Sequence, residues 1–154
     1  MSTPPSDTNT PNEKALERFV GYRIRRAWLA VQADLGAALA PFDLRMITYT
    51  ALALVGGNPG LRQAQLASLM DMERPNLVAI IDELQNRGLL TRDRSPNDGR
   101  AYALHLTPQG HDLRTRATRA VEQHEERLTD GLRDADRPLI DAALARIRRN
   151  AESR

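Results

Sequence analysis

The chain has 154 residues, 41% of them apolar, a net charge of +2 and no cysteine. This length fits one domain, or one domain with a dimerisation extension, and the lack of cysteine excludes a disulfide framework, thiolate metal sites and a thiol redox switch. No apolar run approaches the roughly 18–20 residues that span a bilayer. Ala51 to Val55, one of the longest apolar runs, suits a buried helix segment. Apart from Lys14 every basic residue is arginine, whose planar fork suits phosphates and guanine edges. A genome biased toward arginine codons would give the same composition, so charge alone identifies no partner.

Met1 to Asn12 is Pro, Ser, Thr and Asn without an apolar core, which predicts a disordered tail rather than a signal peptide and points to the cytoplasm. From Ala15 to about Leu39, one long amphipathic helix is predicted, with Leu16, Phe19, Val20, Ile24, Ala27, Trp28, Val31, Leu35 and Leu39 on its apolar face. Pro41 ends it. Leu44 to Val55 predicts a second helix, closed by the turn cluster Gly56-Gly57-Asn58-Pro59-Gly60.

Arg62 to Met70 reads as a short helix with Leu66 and Leu69 facing inward, followed by a turn at Asp71-Met72-Glu73-Arg74. Pro75 then suits the first turn of another helix, whose Leu77, Ile80, Ile81 and Leu84 recur at spacings of three and four. That pattern turns Asn76, Val78, Ala79 and Glu83 away from the core. Gly88 ends the helix. Leu89 to Arg92 and Tyr102 to Leu106 read as strands joined by the turn formers Ser95-Pro96-Asn97-Asp98-Gly99. Thr107 and Pro108 supply an N-cap and N1 proline for a helix with inner face Leu113, Ala117, Val121 or Ala120, His124 and Leu128. Asp136-Arg137-Pro138 repeats the signal before a last helix carrying Leu139, Ile140, Ala143, Leu144 and Ile147.

The resulting fold class is mainly α with a small β-wing: a winged helix-turn-helix flanked by N- and C-terminal dimerisation helices. The expected division is a tail over 1–12, dimerisation helices over 13–40 and 107–150, and a DNA-binding region over 41–106. The outer helices are too apolar on one side for so small a DNA-binding unit to cover. A second copy covers them most simply, and a two-fold dimer sets two recognition helices roughly 34–36 Å apart, matched to a palindromic operator. Arg74, Pro75, Asn76, Val78 and Ala79 are the residues expected to face base edges, with Asn76 suited to adenine and Arg74 to guanine or phosphate. Arg92, Arg94 and Arg100 flank the wing tip.

The segments Gln65-Leu66-Ala67 to Arg87-Gly88-Leu89, Asp98-x-Arg100 and Leu106-Thr107-Pro108-x-Gly110 resemble the MarR family of bacterial transcriptional regulators. The resemblance covers about residues 16 to 150 in element order. It implies a dimeric winged helix-turn-helix protein, a repressor in most members, and in many of them one that releases DNA when a small aromatic acid or related anion binds. It also implies that Arg100 enters a minor groove or is braced by Asp98; a surface ion pair that only shapes the turn is the alternative. Gly99 departs from the family pattern, where arginine is common. The stretch Gly21-Tyr22-Arg23-Ile24-Arg25-Arg26-Ala27 resembles members that control catabolism of aromatic acids.

Family pockets lie where dimerisation helices meet the DNA-binding lobe, which implies Tyr22, Arg26, Met46, Tyr49, His111 and Arg114 as ligand-binding candidates. Arginine or histidine would take a carboxylate, and tyrosine or methionine would wall an aromatic ring. The implied effector is a hydroxybenzoate, hydroxycinnamate or hydroxypyridine-carboxylate, with a thioester of such an acid as next choice. The histidines, His105, His111 and His124, have no His-x-x-x-His spacing, so no metal site is expected. No nucleophile motif or phosphate loop points to an enzyme. The reading is a homodimeric, ligand-responsive repressor; a constitutive DNA binder and a protein-interaction module remain the alternatives.

Overall fold

The computed structural model describes residues 14–95 and 98–153, with side chains for all of these except 94, 95 and 98–101. The expected tail over 1–12 lies outside the described residues. Among them, no single helix is long and apolar enough to cross a membrane.

The long first helix is interrupted. A single turn, α1 (Lys14–Glu17), is followed by α2 (Val20–Leu39), with Phe19 between them in extended backbone. The Glu17 carbonyl accepts from Arg23 Nε at 2.6 Å, where a continuous helix would offer it the amide of Gly21, a poor helix former. Pro41 lies in the 3-10 turn Ala40–Phe42, and Asp43 leaves it in the left-handed region at φ 51°. The chain bends by 69° into α3 (Met46–Gly57). Buried Thr48 fixes this start: its Oγ1 accepts from the Arg45 amide at 2.9 Å and donates to the Arg45 carbonyl at 3.0 Å.

α3 runs through Gly56 and Gly57 instead of stopping at Val55. A Cβ on Gly56 would lie 2.1 Å from Arg114 Nη1 and 2.8 Å from Leu106 Cδ1, so the glycine serves close packing rather than a turn. Asn58 ends the helix, its amide donating to Val55 at 3.2 Å and its side chain to Leu54 at 2.9 Å.

A short β1 (Leu61–Arg62), which the sequence did not announce, leads into α4 (Gln63–Leu69), and α5 (Arg74–Asn86) follows. Leu66 is buried as expected, but Leu69 is 57% exposed. The reason is length: α4 has seven residues, and Asp71 at φ 49° turns the chain immediately after it. The wing strands are longer than expected, β2 (Leu90–Ser95) and β3 (Asp98–Leu106). They pair antiparallel with Arg92 opposite Leu104, and β1 adds to the other edge of β3 with Leu61 opposite the same residue. The sheet order is β1-β3-β2.

α6 (Pro108–Leu128) begins at Thr107, whose Oγ1 accepts from the Gly110 amide at 3.0 Å and donates to the Gly88 carbonyl at 2.6 Å. A Cβ at Gly110 would sit 1.9 Å from the Leu89 carbonyl oxygen. Those contacts explain Leu106-Thr107-Pro108-x-Gly110: it locks the start of α6 onto the exit from α5. The core is the layer between α3, α4, α5, the sheet and the first half of α6, with Leu39, Leu52, Leu66, Ile81, Leu84 and Leu104 fully inaccessible. Each such side chain contributes roughly 1.5–3 kcal/mol.

α7 (Asp136–Glu152) is different in kind, because none of its residues is buried. Asp136 does not cap it as expected; its carboxylate instead accepts from the Arg133 amide at 3.0 Å and Nη2 at 2.7 Å, closing the preceding turn. Leu139, Ile140, Leu144 and Ile147 are 68%, 41%, 49% and 39% exposed. With Ile24, Ala27, Trp28 and Val31 of α2 and Leu128 and Leu132, part of this face lines an open groove of about 670 Å³.

Candidate nucleic-acid interface

Leu77, Ile80, Ile81 and Leu84 are all buried, and this fixes the rotation of α5 about its axis as its sequence spacing requires. The opposite side is then solvent-facing: Arg74, Pro75, Asn76, Val78 and Ala79 are all exposed over the first turns. Glu73, the N-cap residue, makes no side-chain cap, and Pro75 occupies the first turn. The first amides of α5 are thus open at the end where Arg74 adds a cation, an arrangement that favours phosphate. Asn76 presents a side-chain amide, with a donor and an acceptor, on this face, and Val78 an apolar surface 39% exposed.

α5 is tied at each side by ion pairs that no periodicity could reveal. Asp82 pairs with Arg92 of β2, joining recognition helix to wing. Glu83 pairs with Arg45 at the start of α3. Arg87, the C-cap residue, donates to the carbonyls of Asp43 at 2.6 Å and Phe42 at 3.2 Å. Arg92 is therefore placed differently from a free wing cation: its side chain is only 22% exposed and its Nε is buried without a partner among the described residues. The backbones of Arg94, Asp98 and Arg100 lie in the wing strands, but their side chains are outside the described residues.

The ligand candidates divide into separate groups. Tyr49 on α3 reaches Thr118 on α6, with 3.2 Å between the hydroxyls. Thr118 lines a shallow hollow with Arg114, Thr115, Arg119 and Glu122. Half-buried Met46 starts α3, and exposed His111 lies in the first turn of α6. Tyr22 and Arg26 are near the other end of α2, which runs antiparallel to α6, as the Asp34 and His124 contact and the shared groove of Trp28 with Leu128 require. At 1.5 Å per residue this separates Arg26 from the α3 end by roughly 20 Å. One protomer does not gather the set.

The sequence reading also missed what His124 does. It is 1% exposed, and its Nδ1 donates to Asp34 Oδ2 across 2.6 Å, joining α6 to α2. Arg127 Nη2 donates to the same oxygen at 3.3 Å. The imidazole hydrogen bond, helped by Arg127, holds the Asp34 carboxyl below its ordinary pKa against the opposing effect of desolvation. His124 Nε2 is buried without a hydrogen-bond partner among the described residues, with Glu125 Oε1 3.9 Å away. Among the described residues no cluster of three or more His, Asp or Glu could hold a metal.

Comparison with known proteins places this geometry among regulators. Residues 42–101 match the family model described as MarR family. A relative from Thauera aromatica, named as a putative transcriptional regulatory protein for the hcr operon, is 32% identical over 131 residues, covering 84% of this chain and 79% of its own. The transcriptional repressor CouR bound to a 23-mer DNA duplex superposes with a TM-score of 0.84 at 36% identity, over 90% of this chain and 99% of that one. CouR bound to p-coumaroyl-CoA superposes with a TM-score of 0.79 at 35% identity, over 92% and 98%.

Proposed function

The chain belongs to the MarR family, and within it we propose a homodimeric transcriptional repressor that reads a palindromic operator and leaves it when an aromatic effector binds. The observation that carries this reading is the outward face of α5, solvent-facing and uncapped, presented beside a β-wing on a scaffold that superposes on CouR bound to DNA. Residues 13–40 and 107–150 form the dimerisation layer, and 41–106 the DNA-reading lobe. Arg74, Pro75, Asn76, Val78 and Ala79 face the major groove. Arg94, Asp98 and Arg100 are the further wing residues assigned to DNA, and the family resemblance implies that Arg100 either enters the minor groove or is braced by Asp98. Arg92 supports them by holding β2 to Asp82. No catalytic role is assigned, and the protein works in the cytoplasm with the DNA it reads.

Dimerisation is supported by α7, which in one protomer has an apolar face and nothing buried. A two-fold partner seated on the groove between α2 and α7 would cover that face twice per dimer. It would also allow Tyr22 or Arg26 of one protomer to approach Tyr49, His111 and Arg114 of the other, which a single chain keeps apart. For the effector, the complex of CouR with p-coumaroyl-CoA reverses the order of preference reached from sequence. An aromatic acyl-CoA thioester comes first, and the free aromatic acid second. Arginine would hold its anionic groups by charge-assisted hydrogen bonds worth roughly 1.5–3 kcal/mol each.

The ligand acts only through differential affinity for the DNA-bound and DNA-free dimers. Fluorescence anisotropy on duplexes from the gene's own upstream region tests the DNA reading. Saturable binding that survives competitor DNA is expected. Binding no tighter than to random duplex would leave the protein-interaction alternative.

A further inference from the structure

Apolar packing of Leu77, Ile80, Ile81 and Leu84 holds α5 against the core, and polar contacts add to what fixes its direction. Its polar ties go to two places: to the wing through Asp82 and Arg92, and, through Glu83 and Arg87, to the 69° bend between α2 and α3. Arg87 Nη1 and Nη2 donate to the main-chain carbonyls of Asp43 and Phe42 at the end of the 3-10 turn, with Asp43 Oδ2 a further 3.6 Å from Nη2. One helical turn earlier on the same face, Glu83 pairs with Arg45 on the other side of the bend. The bend is itself a defined structure, with Asp43 left-handed at φ 51° and Arg45 fixed by buried Thr48.

We propose that Arg87 is a positioning residue for DNA reading: with the Arg45–Glu83 pair it fixes the recognition helix to the bend, so that the α2–α6 layer sets the spacing of the two α5 helices in the dimer. This rests on the operator-binding reading above. Arg87 is only 26% exposed and both its terminal nitrogens donate to the bend, so it is assigned a role through α5 rather than a contact with DNA. A rigid clamp makes the dimer intolerant of altered half-site spacing. A slack one lets each α5 follow its half-site.

The probe is a duplex selected from random sequence by the wild-type dimer, with versions carrying one base pair inserted or removed at the dyad. Wild type is expected to prefer the selected spacing. Arg87→Met, which keeps the aliphatic stem, should reduce that preference by about tenfold, a typical coupling magnitude, while leaving affinity for random duplex unchanged. Arg45→Glu should reduce it in the same sense, and Arg45→Glu with Glu83→Arg should restore it, which a general loss of stability would not. The charge-swap series decides the matter if Arg87→Met does not fold. An unchanged spacing preference in Arg87→Met, or in the charge-swap series, would overturn the proposal. A wild-type chain that selects no duplex would instead remove the DNA-reading assignment, and the clamp's role with it.

Discussion

Leu144→Asp tests how the last helix is used. In one protomer Leu144 is 49% exposed and no residue of α7 is buried. About half of the 1.5–3 kcal/mol of a fully buried leucine, roughly 1 kcal/mol, is thus left to be gained when a partner covers it. A two-fold contact counts it twice, so the loss is about 2 kcal/mol per dimer, or roughly a thirtyfold rise in dissociation constant. Burying an unpaired carboxylate on each side adds several kcal/mol more. Sedimentation velocity over a concentration series should show wild type as a dimer at micromolar concentration and the variant as a monomer. Helicity by circular dichroism should be nearly unchanged, because Leu144 lies outside the core cluster. A wild-type monomer, or a variant that dimerises as tightly as wild type, would refute the assignment of this face to a second copy.

Asn76→Ala should lower operator affinity by about 1–3 kcal/mol at unchanged thermal stability; anisotropy against the selected duplex measures it, and an equal loss on random duplex would deny Asn76 a base-reading role. Gly110→Ala places a Cβ 1.9 Å from the Leu89 carbonyl and should cost on the order of 3 kcal/mol, seen as a melting point lower by about 6–12 °C. Asp34 titrates below its ordinary 3.8 in the folded chain because of the His124 hydrogen bond. Its contribution is therefore complete above about pH 4 and is lost as pH falls through the folded value. Asp34→Asn should flatten the decline of the urea midpoint below about pH 4, and an unaltered decline would place the acid sensitivity elsewhere.

The recognition helix was legible because its apolar residues obey a spacing that only one secondary structure satisfies, and burial of Leu77, Ile80, Ile81 and Leu84 follows from it. Thr107, Pro108 and Gly88 were legible for the same reason: each carries a local rule, a cap, an N1 proline or a left-handed exit at φ 68°. Leu69 was misread because periodicity does not say where a seven-residue helix stops. Gly56 was misread because a glycine needed for close packing looks like one needed for a turn. β1 is two residues long, too short for any alternation to appear. Asp34 with His124, Arg45 with Glu83 and Arg87 with the bend join residues far apart in the chain. No local pattern marks such pairs, because only the folded chain brings their partners together.

The central claim is that effector and operator compete through the state of the dimer, and linkage tests it directly. p-Coumaroyl-CoA, with free p-coumarate alongside, is titrated by calorimetry into the protein alone and into its complex with the selected duplex. Thioester binding is expected to weaken on the DNA complex by the same factor that the thioester lowers operator affinity, a coupling of about 5–150-fold. Equal thioester affinity in both titrations would contradict ligand-controlled release, even if the ligand binds.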